Sequence, residues 1–208
     1  MSGATGVPSG PAVVGGSAPA GALVCVGGSP GAGKTPVGAL VAAAGELCLV
    51  DLDSVTTPLV EAFAASLGTV ADLDAPQFTA LRDARYTCLA EVAADNLRAG
   101  RSVVAVAPFT SEAADAVAWR ALGRTWGAAR VVLCWLDVDP EEAAARAAAR
   151  GLPRDVAKAG RAAGARPGGG DGTASRVVDR DRIDVVSTGG ATSSETAQRI
   201  VSLLAALT

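Results

Sequence analysis

The stretch GGSPGAGKT, residues 27–35, limits what this chain can fold into more than any other. Gly28, Gly33, Lys34 and Thr35 satisfy the pattern G-x-x-x-x-G-K-[ST]. Glycines let the backbone curl until successive N–H groups point inward, which makes a cradle for an anion. Such a loop needs a buried strand before it and a helix after it, because the helix N-terminus adds positive potential to the cradle. Both are in place: the apolar run ALVCVG (22–27) reads as a strand and VGALVAAA (37–44) as a helix. Cation usage points the same way. The chain relies on arginine nearly everywhere and has two lysines, one of them in the slot where a slim ammonium is needed rather than a planar fork. The nucleotide-binding residues expected are Gly28, Ser29, Pro30, Gly31, Ala32, Gly33, Lys34 and Thr35. Lys34 would reach the β- and γ-phosphates, and the Thr35 hydroxyl would ligate Mg²⁺.

Pro36 follows at once and has no backbone N–H. First-turn N–H groups have no intrahelical partner, so the helix survives it. The donor that is lost commonly serves the α-phosphate, whereas the β/γ cradle of residues 31–35 stays intact. Nucleotide binding is expected to be weakened and not abolished.

With 208 residues, half of them hydrophobic and 3% aromatic, the chain suits one α/β domain with a core of Val, Leu and Ala. A net charge of -3 gives no footprint for nucleic acid or for a membrane surface. No apolar run approaches the roughly 20 residues of a membrane helix. Residues 1–20 are rich in Gly, Pro, Ser and Ala and are expected to be a flexible tail. They lack the basic start and apolar stretch of a secretory signal, and a cytoplasmic location is expected. Cys25, Cys48, Cys88 and Cys134 form no CxxC pair and read as buried free thiols. There is no histidine, which removes Ser–His–Asp triads and ordinary histidine metal sites.

Strands are expected at 46–51, 102–108, 129–138 and 183–188 in addition to the first. Helices are expected from Thr57 (N-cap) and Pro58 through LVEAFAASLG, and over 76–100, 111–123 and 140–151. A closing helix, SSETAQRIVSLLAAL, shows a Ser and a Glu in capping-box spacing. This strict alternation predicts a parallel sheet covered on both faces. The domain would span 21–208, with a lid about 146–175 whose part 159–175 is too rich in glycine and too poor in apolar residues to pack.

The carboxylates that carry chemistry follow the second strand, in LCLVDLDSVT. Asp51 and Asp53 stand at its carboxyl end, where open α/β sheets place ligands. Asp53 there could take a proton from a substrate hydroxyl, and Asp51 could contact substrate. Either could instead cap the next helix. Arg150 and Arg154, in RGLPRD, suit a lid that brings cations to a migrating phosphoryl group. Arg146 reads as a solvated partner of Glu142. Arg82, Arg85 and Tyr86 share one stretch of the long helix and either line an acceptor site or face solvent. The one asparagine, Asn96, precedes Leu97, so a guanine-reading N-K-x-D motif is absent. The third strand ends AVAPFT with no acidic pair, unlike motor-type ATPases.

The segments GGSPGAGKT, DLDSVTTPLVEA, LRDARYTCLAEVAADNLRAGRSVVAVAPF and WLDVDPEEAAARAAARGLPRD together resemble the AAA-type ATP-binding proteins of the small kinase group. These are relatives of gluconate kinase, chloramphenicol phosphotransferase and polynucleotide kinase. The resemblance covers residues 22–158. It implies a three-layer P-loop NTPase fold like that of nucleoside monophosphate kinases, with five parallel strands in the order 2-3-1-4-5. It also implies ATP and Mg²⁺. The family's acid after the second strand falls on Asp53, and its RG..RD lid on Arg150, Gly151, Arg154 and Asp155. The chain departs from the family at AGRAAGARPGGGDGTAS, where relatives have a tryptophan-containing lid segment. The function expected is an ATP-dependent phosphotransferase acting on the hydroxyl of a small molecule. An ATP-binding regulatory or partner-binding module, and a zeta-toxin-like kinase, are the alternatives.

Overall fold

The computed structural model describes residues 21–73, 75–138, 182–187 and 192–206. In chain order these form β1 (Ala22–Gly28), α1 (Lys34–Gly45), β2 (Cys48–Asp51), α2 (Leu52–Ser66), a 3₁₀ turn (Pro76–Phe78) and α3 (Thr79–Arg98). Then come β3 (Val103–Val106), α4 (Thr110–Ala114), α5 (Ala116–Trp126), β4 (Arg130–Val138), β5 (Arg182–Ser187) and a last helix, α6 (Ser193–Ala206). The strands lie in the order β2-β3-β1-β4-β5, and every pairing is parallel. This is the expected fold, with the expected strand order.

β1 is buried along its whole length, and its alternation sorts the core into two layers. Leu23 and Cys25 face a cluster with Leu89, Ala93 and Leu97 of α3 and with Trp119, Leu122 and Trp126 of α5. Val24 and Val26 face Val37 and Val41 of α1 and Ile200 of α6. The sheet is thus covered on both faces, and its carboxyl edge stays open for the loops that carry the chemistry. Gly38 sets how closely α1 approaches: a Cβ there would lie 2.3 Å from Val106 Cγ2.

Three local expectations need correction. α2 starts at Leu52 and not at Pro58, because the Asp51 side chain caps it directly by accepting from the N–H groups of Asp53 and Ser54. Pro58 is consequently inside the helix. It offers no N–H to the Ser54 carbonyl, and burial of Val60 and Ala64 carries the helix past that gap. The segment expected as one helix over 111–123 is two, because Asp115 adopts an extended conformation and its carboxylate restarts the chain by accepting from Val117 N–H. The capping box of α6 is built by Thr192 and not by a serine. Thr192 stands three residues before Glu195, and the two exchange hydrogen bonds of 2.7 Å and 3.2 Å. The Thr192 N–H and, at 3.0 Å, the Thr192 hydroxyl both donate to Glu195 Oε2 and hold its carboxyl below its ordinary range.

All four cysteines are free. Cys25 and Cys134 are buried, whereas Cys48 is half-buried and Cys88 exposed, so the expectation of burial holds for two of them. Burial pushes the Cys134 thiol up to about 12 and the Cys25 thiol well above its ordinary value, which keeps both out of thiolate chemistry. The tail expected over 1–20, the helix expected over 140–151 with Arg146, and the lid expected about 146–175 with Arg150 and Arg154 lie outside the described residues.

Candidate active site

β1 ends at Gly28 (φ +143), where a Cβ would stand 2.3 Å from the Leu136 carbonyl oxygen of the neighbouring β4. Only glycine lets the chain leave the sheet so close to that strand. The turn that follows is closed by Ala32 N–H donating to Ser29 O at 3.2 Å, and Gly31 (φ +84) and Gly33 (φ +81) take left-handed conformations. α1 then begins at Lys34, with its first return bond from Val37 N–H to Gly33 O at 3.1 Å. The N–H groups of Gly31, Gly33 and Thr35 donate to no acceptor among the described residues. A run of unsatisfied donors at a helix N-terminus is the arrangement that holds a phosphate. Lys34 folds back over it, with Nζ donating to the carbonyls of Gly28 (3.0 Å) and Ser29 (2.9 Å).

Thr35 Oγ1 donates to Asp51 Oδ2 at 2.8 Å. Asp51 is buried, and its other oxygen, Oδ1, caps α2 through Asp53 N–H (2.9 Å) and Ser54 N–H (3.1 Å). One carboxylate therefore joins the loop hydroxyl to the start of α2. Hydroxyl and carboxylate side by side form a hard oxygen pair of the kind Mg²⁺ takes, usually with waters and phosphate oxygens completing its shell.

Asp53, two residues on, points elsewhere. Its Oδ1 accepts from Arg85 Nη2 at 2.5 Å. Arg85 comes from α3 with a side chain only 10% exposed, against 45% for Asp53. Its Nε donates to Thr56 Oγ1 at 2.6 Å, and Thr56 in turn donates to the Leu52 carbonyl at 2.5 Å. Arg85 Nη1 has no partner among the described residues. Beside it, the Tyr86 hydroxyl accepts from Phe109 N–H at 3.4 Å in the loop after β3. Burial pushes the Tyr86 phenol up to about 12, with Glu112 and Asp53 adding and Phe109 N–H and Arg85 opposing, so the phenol remains a donor. Phe109 is a non-glycine residue at φ +49, a strained conformation that occurs next to functional loops. The same loop reaches the phosphate cradle, where Gly28 N–H donates to Pro108 O at 3.3 Å.

The structure therefore gathers Lys34, Thr35, Asp51, Asp53 and Arg85 at one edge of the sheet. Arg82 is not among them: it is turned outward and donates to the Leu73 carbonyl at 2.8 Å. Thr56, Phe109 and Glu112 were not legible as site residues. A threonine three residues after Asp53 was the one available cue.

A phosphate loop on a 2-3-1-4-5 parallel sheet defines the P-loop NTPase class, in its small, kinase-like form. Residues 23–166 match the AAA domain family, and the chain belongs to it. Many solved structures share the fold. A provisionally described kinase from Chloroflexus aurantiacus J-10-fl is 17% identical with a TM-score of 0.63, covering 93% of this chain and 100% of that one. A sugar kinase from Janibacter sp. HTCC2649 is 19% identical with a TM-score of 0.54, covering 91% and 98%. A gluconokinase from Sinorhizobium meliloti 1021 is 18% identical with a TM-score of 0.52, covering 91% and 94%. No curated protein matches the chain at a significant level. Among the described residues no helix is long and apolar enough to cross a membrane.

Proposed function

We propose that this protein is an ATP-dependent phosphotransferase acting on the hydroxyl of a small molecule. The observation that carries this reading is the division of labour between two carboxylates at the end of β2. Asp51 is bonded to the Thr35 hydroxyl at 2.8 Å, while Asp53 is bonded to Arg85 at 2.5 Å. The first belongs to the phosphate and metal side, the second to a separate, acceptor side. A pure nucleotide-binding module needs only the first. The unsatisfied N–H groups, Lys34 and the Thr35–Asp51 pair fit MgATP, which when bound supplies the phosphoryl group and a counter-charge for it.

On this reading Lys34 leaves the Gly28 and Ser29 carbonyls to meet the β- and γ-phosphates. Asp53 accepts the proton of the acceptor hydroxyl and holds the oxygen in line. Arg85 Nη1 and the Tyr86 hydroxyl donate to oxygens elsewhere on the acceptor, which favours polyols and hydroxy acids. Arg150 and Arg154 are assigned to the migrating charge. The sugar kinase and the gluconokinase, by their names, phosphorylate acceptors of that kind.

The test is a screen of sugars, hydroxy acids, nucleosides and aminoglycosides for ATP-dependent phosphorylation, run with wild type and Asp53→Asn. Transfer to one class by wild type, reduced about 10²–10⁴-fold in the variant with ATP binding intact, is the result expected. ATP binding without transfer to any acceptor would overturn the proposal in favour of a binding module.

A further inference from the structure

Pro36 is the third residue of α1, exposed at the mouth of the cradle. The first three N–H groups of a helix point out of its N-terminus with no intrahelical acceptor. In α1 the return bonds begin with Val37 N–H to Gly33 O, so positions 34, 35 and 36 hold those outward places. Lys34 and Thr35 supply N–H groups there; Pro36 supplies none and brings no hydroxyl either. The donors laid along a bound triphosphate thus stop one position short. The Lys34 ammonium reaches the β- and γ-phosphates and the Thr35 hydroxyl serves Mg²⁺. The next N–H along the helix would serve the phosphate nearer the nucleoside.

Resting on the nucleotide reading above, we infer that the donor site grips the β- and γ-phosphates and leaves the α-phosphate without a main-chain partner from α1. Pro36 is then a specificity-determining residue of the donor site. It sets how tightly ATP is held and, more consequentially, how fast ADP departs, because ADP brings no γ-phosphate to the cradle. Most of what remains to hold ADP is its β-phosphate and its nucleoside.

The experiment compares wild type with Pro36→Ala, which restores the N–H alone, and Pro36→Thr, which restores N–H and hydroxyl. Calorimetry with MgATP and MgADP is expected to show both nucleotides binding about tenfold more tightly to Pro36→Ala, the net worth of one hydrogen bond to a charged group after competition from water. A fluorescent ADP analogue should leave the variant about tenfold more slowly. The α-thio analogues of ATP need no variant. Both diastereomers should bind wild type as ATP does, and one should bind Pro36→Ala several-fold more weakly than ATP. If ATP binds wild type but neither variant binds more tightly, or if wild type already discriminates between the α-thio diastereomers, the α-phosphate is held and the inference is overturned. Failure of all three proteins to bind ATP would overturn the nucleotide reading itself, and this inference with it.

Discussion

Arg85 Nη2 donates to Asp53 Oδ1 at 2.5 Å, and the two side chains differ sharply in exposure. The arginine side chain is 10% exposed and bonded through Nε to Thr56, whereas the aspartate side chain is 45% exposed. The cation is therefore the buried member of the pair and the anion the exposed one. Arg85→Ala should take from Asp53 its bond to α3 while sparing the cradle. ATP affinity is expected to stay within about twofold, with kcat/KM for the acceptor down by at least about tenfold. Thr56→Val strands Arg85 Nε in the interior, and a buried donor without an acceptor costs about 1–3 kcal/mol. Thr56→Ser should restore both stability and acceptor KM. Loss of stability in Thr56→Val with unchanged acceptor kinetics would reduce the threonine to a structural role.

Thr35 and Asp51 share a hydrogen bond but have separable consequences. Asp51→Ala removes the cap of α2 as well as the partner of Thr35, and a lost cap costs about 1 kcal/mol. In a chain of this size that lowers Tm by about 2–4 °C. Thr35→Ala leaves the cap in place. Both variants should lose the Mg²⁺ enhancement of ATP binding, and Asp51→Ala should lose the stability of the α2 cap as well. Denaturation by circular dichroism beside calorimetry with and without Mg²⁺ separates the two. Equal enhancement in wild type and both variants would place the metal elsewhere.

Two glycines of the loop are expected to respond very differently to alanine. At Gly28 the added methyl would meet the Leu136 carbonyl at 2.3 Å, and neither strand can give way without parting β1 from β4. Gly28→Ala should therefore cost more than about 3 kcal/mol or prevent folding. At Gly33 nothing lies within 4 Å, and the penalty is only that of φ +81, about 1–2 kcal/mol. Comparable Tm values for the two variants would contradict the strand exit described here.

The parts of the molecule that were legible in the sequence are those governed by period and by a single residue's chemistry. Buried strands such as ALVCVG have one way to be satisfied, and a lysine in a glycine-rich turn before a helix has few other uses. Asp51 and Asp53 could be placed at the end of β2 but their roles could not be divided, because adjacent carboxylates look alike until the partners are seen. Those partners, Thr35 and Arg85, are 16 and 32 residues away in sequence. The start of α2 was misplaced for a related reason: Thr57-Pro58 is a valid local start signal, and it yields to an aspartate cap that occurs first. The inward turn of Arg85 and outward turn of Arg82 follow from which face of α3 meets the sheet, a tertiary fact that three residues of helix do not encode.

Tyr86 offers a pH test that can be read without ambiguity, since it is the one tyrosine in the chain. An unperturbed phenol ionises near 10. In the folded protein, burial first, and then Glu112 and Asp53, raise the Tyr86 value to about 12 against the opposing pull of Phe109 N–H and Arg85. The native state therefore resists phenolate formation more than the unfolded state does. The sign follows from linkage: the contribution of the neutral phenol to stability is fully present below about 10 and is lost as pH rises from there to about 12. The ultraviolet absorbance of phenolate should titrate near 12 in native protein and near 10 in denaturant. Tyr86→Phe should abolish that signal and flatten the alkaline decline in stability. It also deletes the acceptor of Phe109 N–H, so the loop after β3 should exchange its amides faster. A native titration midpoint near 10 would mean that the phenol stands in water, and the link from α3 to that loop would have to be abandoned.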